Sequence, residues 1–234
     1  MKLLVAGDFH FSKYFDKRTL SHFLYAAKTL KPDKIILLGD VFDFYQISKF
    51  DKSPKRLTKL QDEIDEMIES LFVPLSRTKT KIDYILGNHE QRLQKYLNSN
   101  SPALASLKCL SLSKLFSLDK FGIDSPRLFR MYERNFFATH GTFYGKHAPS
   151  SELTRWGMSG ISAHVHKTLY VSRKTLKGSL SWLTVGAMCR VDVSSHTPAG
   201  KTDWTQSFAL ITLKNGLPFY HIYEIKNGVC LIKE

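Results

Sequence analysis

The chain has 234 residues, 43% of them hydrophobic, and a formal net charge of +13 at pH 7, which predicts one domain over residues 1–234 and favours polyanionic partners such as nucleic acid or nucleotides. Its three cysteines, Cys109, Cys189 and Cys230, match neither a disulfide framework nor a zinc spacing. No apolar stretch approaches the roughly 20 residues of a membrane span and no signal peptide precedes the first apolar run, so we expect a cytoplasmic protein without a membrane partner.

The first half of the chain alternates short apolar runs with helical patterns. Apolar runs at 3–6, 35–38 and 82–86 predict three strands. Hydrophobic residues at helical spacing predict helices over 20–30 and 57–71, the second ending before Pro74. Strands joined by helices pair in parallel through right-handed crossovers. We therefore expect an α/β sheet in this half.

Each of these three strands is followed by glycine and by residues that can bind metal ions. These residues are Asp8 and His10 after the first strand, Asp40 and Asp43 after the second, and Asn88 and His89 after the third. In an open α/β sheet, ligands bind beyond the carboxyl ends of the strands. Three such ends side by side predict a metal site, and we expect it to hold two ions.

The second half of the chain has a different pattern. Residues 98–126 are irregular after a break at 98–102, and we interpret them as a helical excursion that caps the site. Short strands are then expected at 127–132, 135–139, 158–163, 168–173, 180–185, 206–213, 218–225 and 229–232, with hairpin turns at Asn215-Gly216 and Asn227-Gly228. We expect the last two hairpins to complete a second sheet that packs on the first, which predicts a four-layer α/β/β/α sandwich of two mixed sheets flanked by helices.

Three histidines of this half extend the ligand set. His140 follows the apolar run 136–138, and His164 and His166 form an H-x-H pair. An X-x-X pair on an extended segment presents both side chains on one face, and the same reasoning applies to Asp8 and His10. Imidazole and carboxylate ligands together suit Mn, Fe, Zn or Ni. The predicted ligands are Asp8, His10, Asp40, Asn88, His140, His164 and His166.

The order of these motifs, D-x-H, G-D-x-x-D, G-N-H-E, a single His and then H-x-H, resembles the calcineurin-like metallophosphoesterases from Asp8 to His166. One position departs from the family pattern, since Ala163 stands where the family usually has glycine before H-x-H; ordinary backbone angles there would tolerate the methyl group. Small single-domain enzymes of this kind are frequent in phages and bacteria, which implies the host cytoplasm if the chain is phage-encoded.

The resemblance implies two divalent transition-metal ions, Mn²⁺ foremost. Asp8, His10 and His166 would hold the first ion. Asn88, His140 and His164 would hold the second, and Asp40 would bridge both. A hydroxide between the ions would attack phosphorus in line, with no covalent phosphoenzyme.

Four further residues are candidates for catalysis and substrate binding. His89 is placed to contact the phosphate and protonate the leaving oxygen, and Asp43 to fix the tautomer of His89. Arg92, one helical turn beyond His89, is either a clamp on a phosphate oxygen or a solvated helix residue. Trp204, in a polar loop, is either a stacking platform for a base or a hydrophobic lid.

Three substrate hypotheses remain open at this point. The Gly39-Asp40-Val41-Phe42-Asp43 motif, with Phe42 before Asp43, resembles the nuclease and phosphodiesterase branches of the family, and with the positive charge it favours a phosphoesterase that acts on nucleotides or nucleic acid. A protein serine/threonine phosphatase usually has Arg after the second Asp of the motif, where this chain has Phe44. A non-catalytic basic nucleic-acid-binding module on the same scaffold would have lost ligands that are present here. Whether monoesters or diesters are cleaved stays open.

Overall fold

The computed structural model describes residues 1–54, 57–176, 178–191 and 203–232. It contains ten named strands and six α-helices in these ranges. The strands are β1 (Lys2–Ala6), β2 (Lys34–Leu37), β3 (Lys81–Tyr84), β4 (Phe129–Tyr132), β5 (Phe136–Thr139), β6 (Ser159–Ser162), β7 (Leu169–Thr175), β8 (Gly178–Thr184), β9 (Gln206–Lys214) and β10 (Leu217–Ile225). The helices are α1 (Lys17–Thr29), α2 (Leu60–Met67), α3 (Val73–Ser76), α4 (Gln91–Asn100), α5 (Leu112–Leu115) and α6 (Ala148–Trp156).

Two mixed five-stranded sheets form the centre of the fold. The first has the order β10-β9-β1-β2-β3, and the second has the order β4-β5-β6-β8-β7. In the first sheet β1, β2 and β3 are parallel, and β9 runs antiparallel to β1. The carboxyl ends of β1, β2 and β3 therefore meet at one edge, as the strand-helix alternation predicts.

Alternating side chains divide the interior into layers. Leu4 and Ala6 of β1 face a core that also contains Phe23 of α1 and Met67 of α2. Leu3 and Val5 face the second sheet, together with Ile36, Leu38, Phe136 and Ile161. A third cluster, of Phe137, Leu153 and Trp182, lies between the second sheet and α6. The two sheets with helices packed on both outer faces confirm the four-layer α/β/β/α prediction. Strand β1 is buried between two cores, which explains its run of apolar residues.

Several local predictions are wrong. The β9–β10 hairpin extends the first sheet rather than the second, because β9 pairs with the free edge of β1. No strand forms at 229–232 within the described residues, where Val229 makes only an isolated bridge to Lys226. Helix α6 was missed, although it supplies the outer layer over the second sheet.

The predicted end of the second helical pattern before Pro74 is also wrong. Residues Ile68–Phe72 form a π-turn in which the Val73 N–H donates to Ile68 O, and α3 continues to Ser76. Pro74 lies in the first turn of α3, directly after the π-turn, and because proline has no N–H it donates no helical hydrogen bond to a carbonyl of that turn.

Residues 98–126 form short helical pieces rather than one excursion. Helix α4 continues through the predicted break to Asn100, and 3₁₀ turns follow at Pro102–Ser106, Lys108–Leu110 and Leu118–Phe121. Phe116 of this segment is fully buried and packs against Phe42 and Phe44 at 5.5 and 6.1 Å between ring centroids. The segment therefore supports the loop after β2, and its function as a cap stays a prediction.

No helix among the described residues is both long and apolar enough to cross a membrane.

Candidate active site

The backbone of the loops after the strands differs from the extended form expected from the X-x-X spacing. Five predicted ligands adopt the left-handed region: Asp8 (φ 55°), His10 (47°), Asp40 (47°), His164 (73°) and His166 (55°). This conformation costs an L-residue about 1–2 kcal/mol, so backbone strain is concentrated where the ligand side chains converge. The pairs do reach a common cavity, but they do so through turns in the loops and not through the alternation of a strand.

Hydrogen bonds between loops hold these turns in place. The N–H groups of Asp8 and His10 donate to the carbonyl oxygens of Gly39 and Asp40 at 3.0 and 2.9 Å. From the second sheet, the His164 N–H donates to Asp8 Oδ2 at 2.8 Å. The two halves of the predicted ligand set are therefore tied together across the gap between the sheets.

A first group of ligand atoms forms around His10 and His166. Their Nε2 atoms are 3.2 Å apart. Asp8 Oδ1 lies 3.4 Å from His166 Nε2 and 3.9 Å from His10 Nε2, and Asp40 Oδ2 lies 4.0 Å from His10 Nε2. Ligands about 2.1 Å from one ion are spaced roughly 3.0–3.5 Å apart, so this group has nearly the spacing of a coordination shell.

A second group forms around His140. Its Nε2 lies 3.1 Å from Asn88 Oδ1, 3.1 Å from His164 Nδ1 and 3.3 Å from Asp40 Oδ2. His140 is oriented through its other ring nitrogen, as Nδ1 lies 2.7 Å from Leu38 O, the kind of outer contact that fixes the tautomer of a ligating histidine. Asp40 Oδ2 belongs to both groups, and all seven predicted ligands are thereby brought together.

Buried polar atoms without hydrogen-bond partners indicate that the ligand groups fit metal ions. Asp8 Oδ1 and His166 Nδ1 are buried and make no hydrogen bond within the described part of the chain. An unpaired buried carboxylate oxygen is costly, and a cation between Asp8, His10 and His166 would remove that cost. The sets Asp8, His10, Asp40 and Asp40, His140, His164 each hold their ligand atoms within 4.8 Å of one another.

The ligand histidines differ in pKa. Burial disfavours the charge of His140, but Asp40 outweighs it and raises the pKa of His140 to about 10. Burial, reinforced by the neighbouring His89, lowers the pKa of His10 to about 3, and burial together with His140 lowers the pKa of His164 to about 4. His10 and His164 are thus neutral at pH 7, as metal ligation requires, whereas His140 must lose a proton.

His89, Asp43 and Arg92 form a connected group beside the metal-ligand groups. His89 Nδ1 donates to Asp43 Oδ1 at 2.8 Å, and Arg92 Nη1 donates to Asp43 Oδ1 at 3.0 Å. Burial opposes protonation of His89, but the carboxylates of Asp40 and Asp43 raise its pKa. His89 Nε2 accepts from Arg92 Nη2 at 2.8 Å. Two donors cannot face each other at this distance, so Arg92 must withdraw before Nε2 carries a proton.

Glu90 is a site residue that sequence reasoning missed. Its fully buried carboxylate accepts from the N–H groups of Asp40, Phe42 and Gly87 at 2.9–3.0 Å and from the Tyr84 hydroxyl at 3.0 Å. It therefore joins the loop after β2 to the loop after β3. A carboxylate at the end of the G-N-H-E motif, next to a helix start, was the available signal.

Trp204 lies at the edge of the first ligand group. Its ring meets the ring of His166 edge-on, with centroids 4.2 Å apart. Trp204 also lines a cavity of about 890 Å³ whose walls carry the charges of Asp16, Lys17, Arg18, Arg190, Glu224 and Lys226 and the ring of Phe15. Four cations and two carboxylates give this cavity a positive balance. Trp204 thus contacts a predicted metal ligand and also lines a basic cavity.

Ala163, the departure from the family pattern, has no positive φ, so its methyl group is compatible with the backbone there. The Ala163 Cβ leaves no room for a side chain at position 7, because a Cβ built on Gly7 would be only 2.8 Å from the Ala163 Cβ. The small residue required between the sheets is therefore at position 7.

Comparison with known proteins supports the same assignment. A family model described as calcineurin-like phosphoesterase matches residues 1–181. The gene 54 protein of Mycobacterium phage L5 is 22% identical over an alignment of 214 residues that covers 85% of this chain and 84% of that protein. The gene 54 protein of Mycobacterium phage D29 is 21% identical over an alignment of 198 residues that covers 78% of each chain.

Solved structures share the fold at low identity. Vps29 from Chaetomium thermophilum has a TM-score of 0.53 at 10% identity, covering 97% of this chain and 92% of that one. A dimetal phosphatase from Danio rerio has a TM-score of 0.50 at 10% identity, covering 92% and 93%. These likenesses show the fold alone.

Proposed function

The chain belongs to the calcineurin-like phosphoesterase family, and we propose that it is a dimetal phosphoesterase whose substrates are nucleotides or nucleic acid. It is a metal-dependent phosphoester hydrolase by its family. The observation that carries the dimetal proposal is the pair of ligand groups that share Asp40 Oδ2, 4.0 Å from His10 Nε2 on one side and 3.3 Å from His140 Nε2 on the other.

The metal identity is part of the proposal. Nitrogen and oxygen donors together support Mn²⁺, Fe, Zn²⁺ or Ni²⁺ at these positions. Two such ions, when bound, would polarise the phosphate and lower the pKa of a bound water, so that hydroxide would be available at neutral pH.

The chain's own residues then orient the substrate and supply a proton. Asp43 holds the Nδ1 proton of His89, so Nε2 is the atom that faces the substrate. Once Arg92 moves from Nε2 to a phosphate oxygen, His89 is free to take up a proton, which Asp40 and Asp43 favour. His89 would deliver this proton to the leaving oxygen. Arg92 would pair with the phosphate through its second guanidinium nitrogen.

The choice of nucleotides or nucleic acid rests on charge and on the cavity that Trp204 lines. The chain carries a net charge of +13, and the cavity wall contains Arg18, Arg190 and Lys226. A substrate bound with its phosphate at the metal ligands would extend past Trp204, where a base can stack and further phosphates can meet these cations. The phage relatives support the host cytoplasm as the location.

Two measurements test the substrate class. The first is a comparison of turnover rates on four substrates: an aryl phosphate, a bis-aryl phosphate, a phosphopeptide and single-stranded DNA. The rates show which class of ester is preferred, and a preference for the phosphopeptide would contradict the proposal. Binding of DNA to the chelator-treated protein should weaken with salt, with a slope of about −0.7 in log K per phosphate neutralised. Salt-independent, negligible binding would leave only small nucleotides as substrates.

Matched variants locate the substrate. Arg190→Gln should reduce the salt slope, whereas Arg77→Gln should not, because Arg77 is exposed before β3 at the opposite edge of the first sheet. Trp204→Ala should weaken nucleotide substrates more than an aryl phosphate. An equal effect of Trp204→Ala on both substrates would remove the stacking function.

A further inference from the structure

Cys189 lies behind the first ligand group, in the segment after β8. Its backbone N–H donates to Asp8 O at 3.0 Å, and its carbonyl oxygen accepts from Gln206 Nε2 at 2.7 Å. The residue is 2% exposed. Its main chain is therefore fixed to the loop that carries two of the ligands, and its side chain has little freedom to move away from them.

The sulfur of Cys189 joins ligand atoms already described. Cys189 Sγ and one ring nitrogen each of His10 and His166 lie within 4.8 Å of one another. The buried Asp8 Oδ1, which makes no hydrogen bond within the described residues, lies beside this group, 3.4 Å from His166 Nε2. Cys109 and Cys230 belong to no such group in the part of the chain that the structure describes.

A buried cysteine of the apolar core would be surrounded by hydrocarbon. Cys189 instead faces two imidazoles beside an unsatisfied carboxylate, which is a set of groups that a transition-metal ion would bind. We propose that Cys189 Sγ is an additional ligand of the ion held by Asp8, His10 and His166. The thiol proton passes to solvent as the metal–sulfur bond forms. This inference rests on the dimetal centre proposed above.

The consequence is a difference between the two metal positions. A thiolate favours Zn²⁺, Fe²⁺ or Co²⁺ over Mn²⁺ and Mg²⁺. The position of His140, Asn88 and His164 has only nitrogen and oxygen donors and lacks this preference. The chain should therefore hold a thiophilic ion at one position and accept a harder ion at the other.

Cobalt loading tests the proposal. The protein with two Co²⁺ ions should show a near-ultraviolet thiolate-to-cobalt charge-transfer band. Cys189→Ser should lose the band while still binding two ions, and Cys230→Ser, a control at a half-buried cysteine away from the ligands, should keep it. A band that persists in Cys189→Ser, or is absent from the wild-type protein with two ions bound, would overturn the proposal.

X-ray absorption of the zinc-loaded wild-type protein gives a readout that needs no variant. With two zinc ions bound and one of them holding Cys189, we expect about half a sulfur per zinc at about 2.3 Å in the average shell, beside nitrogen and oxygen at about 2.0–2.1 Å. A shell of nitrogen and oxygen alone around two bound ions would refute the sulfur ligand and leave the dimetal centre standing. A protein that binds no ions at all would refute both.

Discussion

Replacement of Glu90 by glutamine tests the claim that this buried carboxylate organises the loops around Asp40. Each oxygen of Glu90 accepts two donors: Oε2 takes the N–H groups of Asp40 and Gly87, and Oε1 takes the Phe42 N–H and the Tyr84 hydroxyl. In Glu90→Gln one of these oxygens becomes an NH₂ group. The Tyr84 hydroxyl can turn to accept from it, but the Phe42 N–H is left facing another donor.

The magnitude follows from this count. One unpaired buried donor costs about 1–3 kcal/mol, and the remaining bonds weaken because they no longer end on a charge. We expect a loss of about 3 kcal/mol. For a chain of this size that corresponds to a fall in Tm of roughly 6–12 °C.

The control is Tyr84→Phe, which removes one donor and keeps the carboxylate. It should cost about 1–1.5 kcal/mol. Thermal unfolding of both variants, with and without added metal, is the assay. Because Glu90 binds the Asp40 N–H, Glu90→Gln should also weaken metal binding. Our reasoning would be refuted by a Glu90→Gln protein as stable as Tyr84→Phe with unchanged metal affinity.

Three further predictions concern the site and its supports. Asp40→Asn should abolish turnover and weaken both ions, whereas His89→Ala should keep the ions and slow turnover by about 10²–10⁴-fold; metal analysis beside kinetics would expose a misassignment if His89→Ala lost its ions too. Gly7→Ala should cost about 1–3 kcal/mol by overpacking against the Ala163 methyl group, and Ala163→Gly in the same chain should recover part of this loss in chemical denaturation; additive losses would contradict the contact. The His140 pKa of about 10 means that the folded, ion-free chain binds an extra proton between about pH 6.5 and pH 10, so its stability should fall as pH rises through this window; in calorimetry with buffers of different ionisation enthalpy, metal binding at pH 8 should release about one proton from the Cys189→Ser protein and about one more, from the Cys189 thiol, in the wild-type protein.

The predictable part of the fold came from hydrophobic periodicity. The runs ending at Ala6 and Leu37 are apolar at every position because they face two cores, and this marks buried parallel strands. The partner of a strand is less accessible from sequence. Nothing in the 206–225 hairpin specifies that it pairs with β1, since either sheet offers an edge to an alternating strand.

The identities of the ligands were accessible to sequence reasoning, and their backbone geometry was not. The left-handed conformations of Asp40 and His164 are unfavourable locally and are held by contacts between loops far apart in sequence. Glu90 and Cys189 were missed for a similar reason. The position of Glu90 at the end of the G-N-H-E motif marks it as a site residue, but its bonds to backbone N–H groups of two loops, like the approach of the Cys189 thiol to two imidazoles, have no signature in spacing along the chain.

The number of metal ions that turnover requires tests the central claim most directly. Metal-free protein should be titrated with Zn²⁺ or Mn²⁺, with bound ions counted by native mass spectrometry and hydrolysis of a bis-aryl phosphate and an aryl phosphate followed in the same samples. We predict two ions per chain, and turnover that rises with the population holding both. Turnover by the metal-free protein, or full turnover with a single ion bound, would contradict the account.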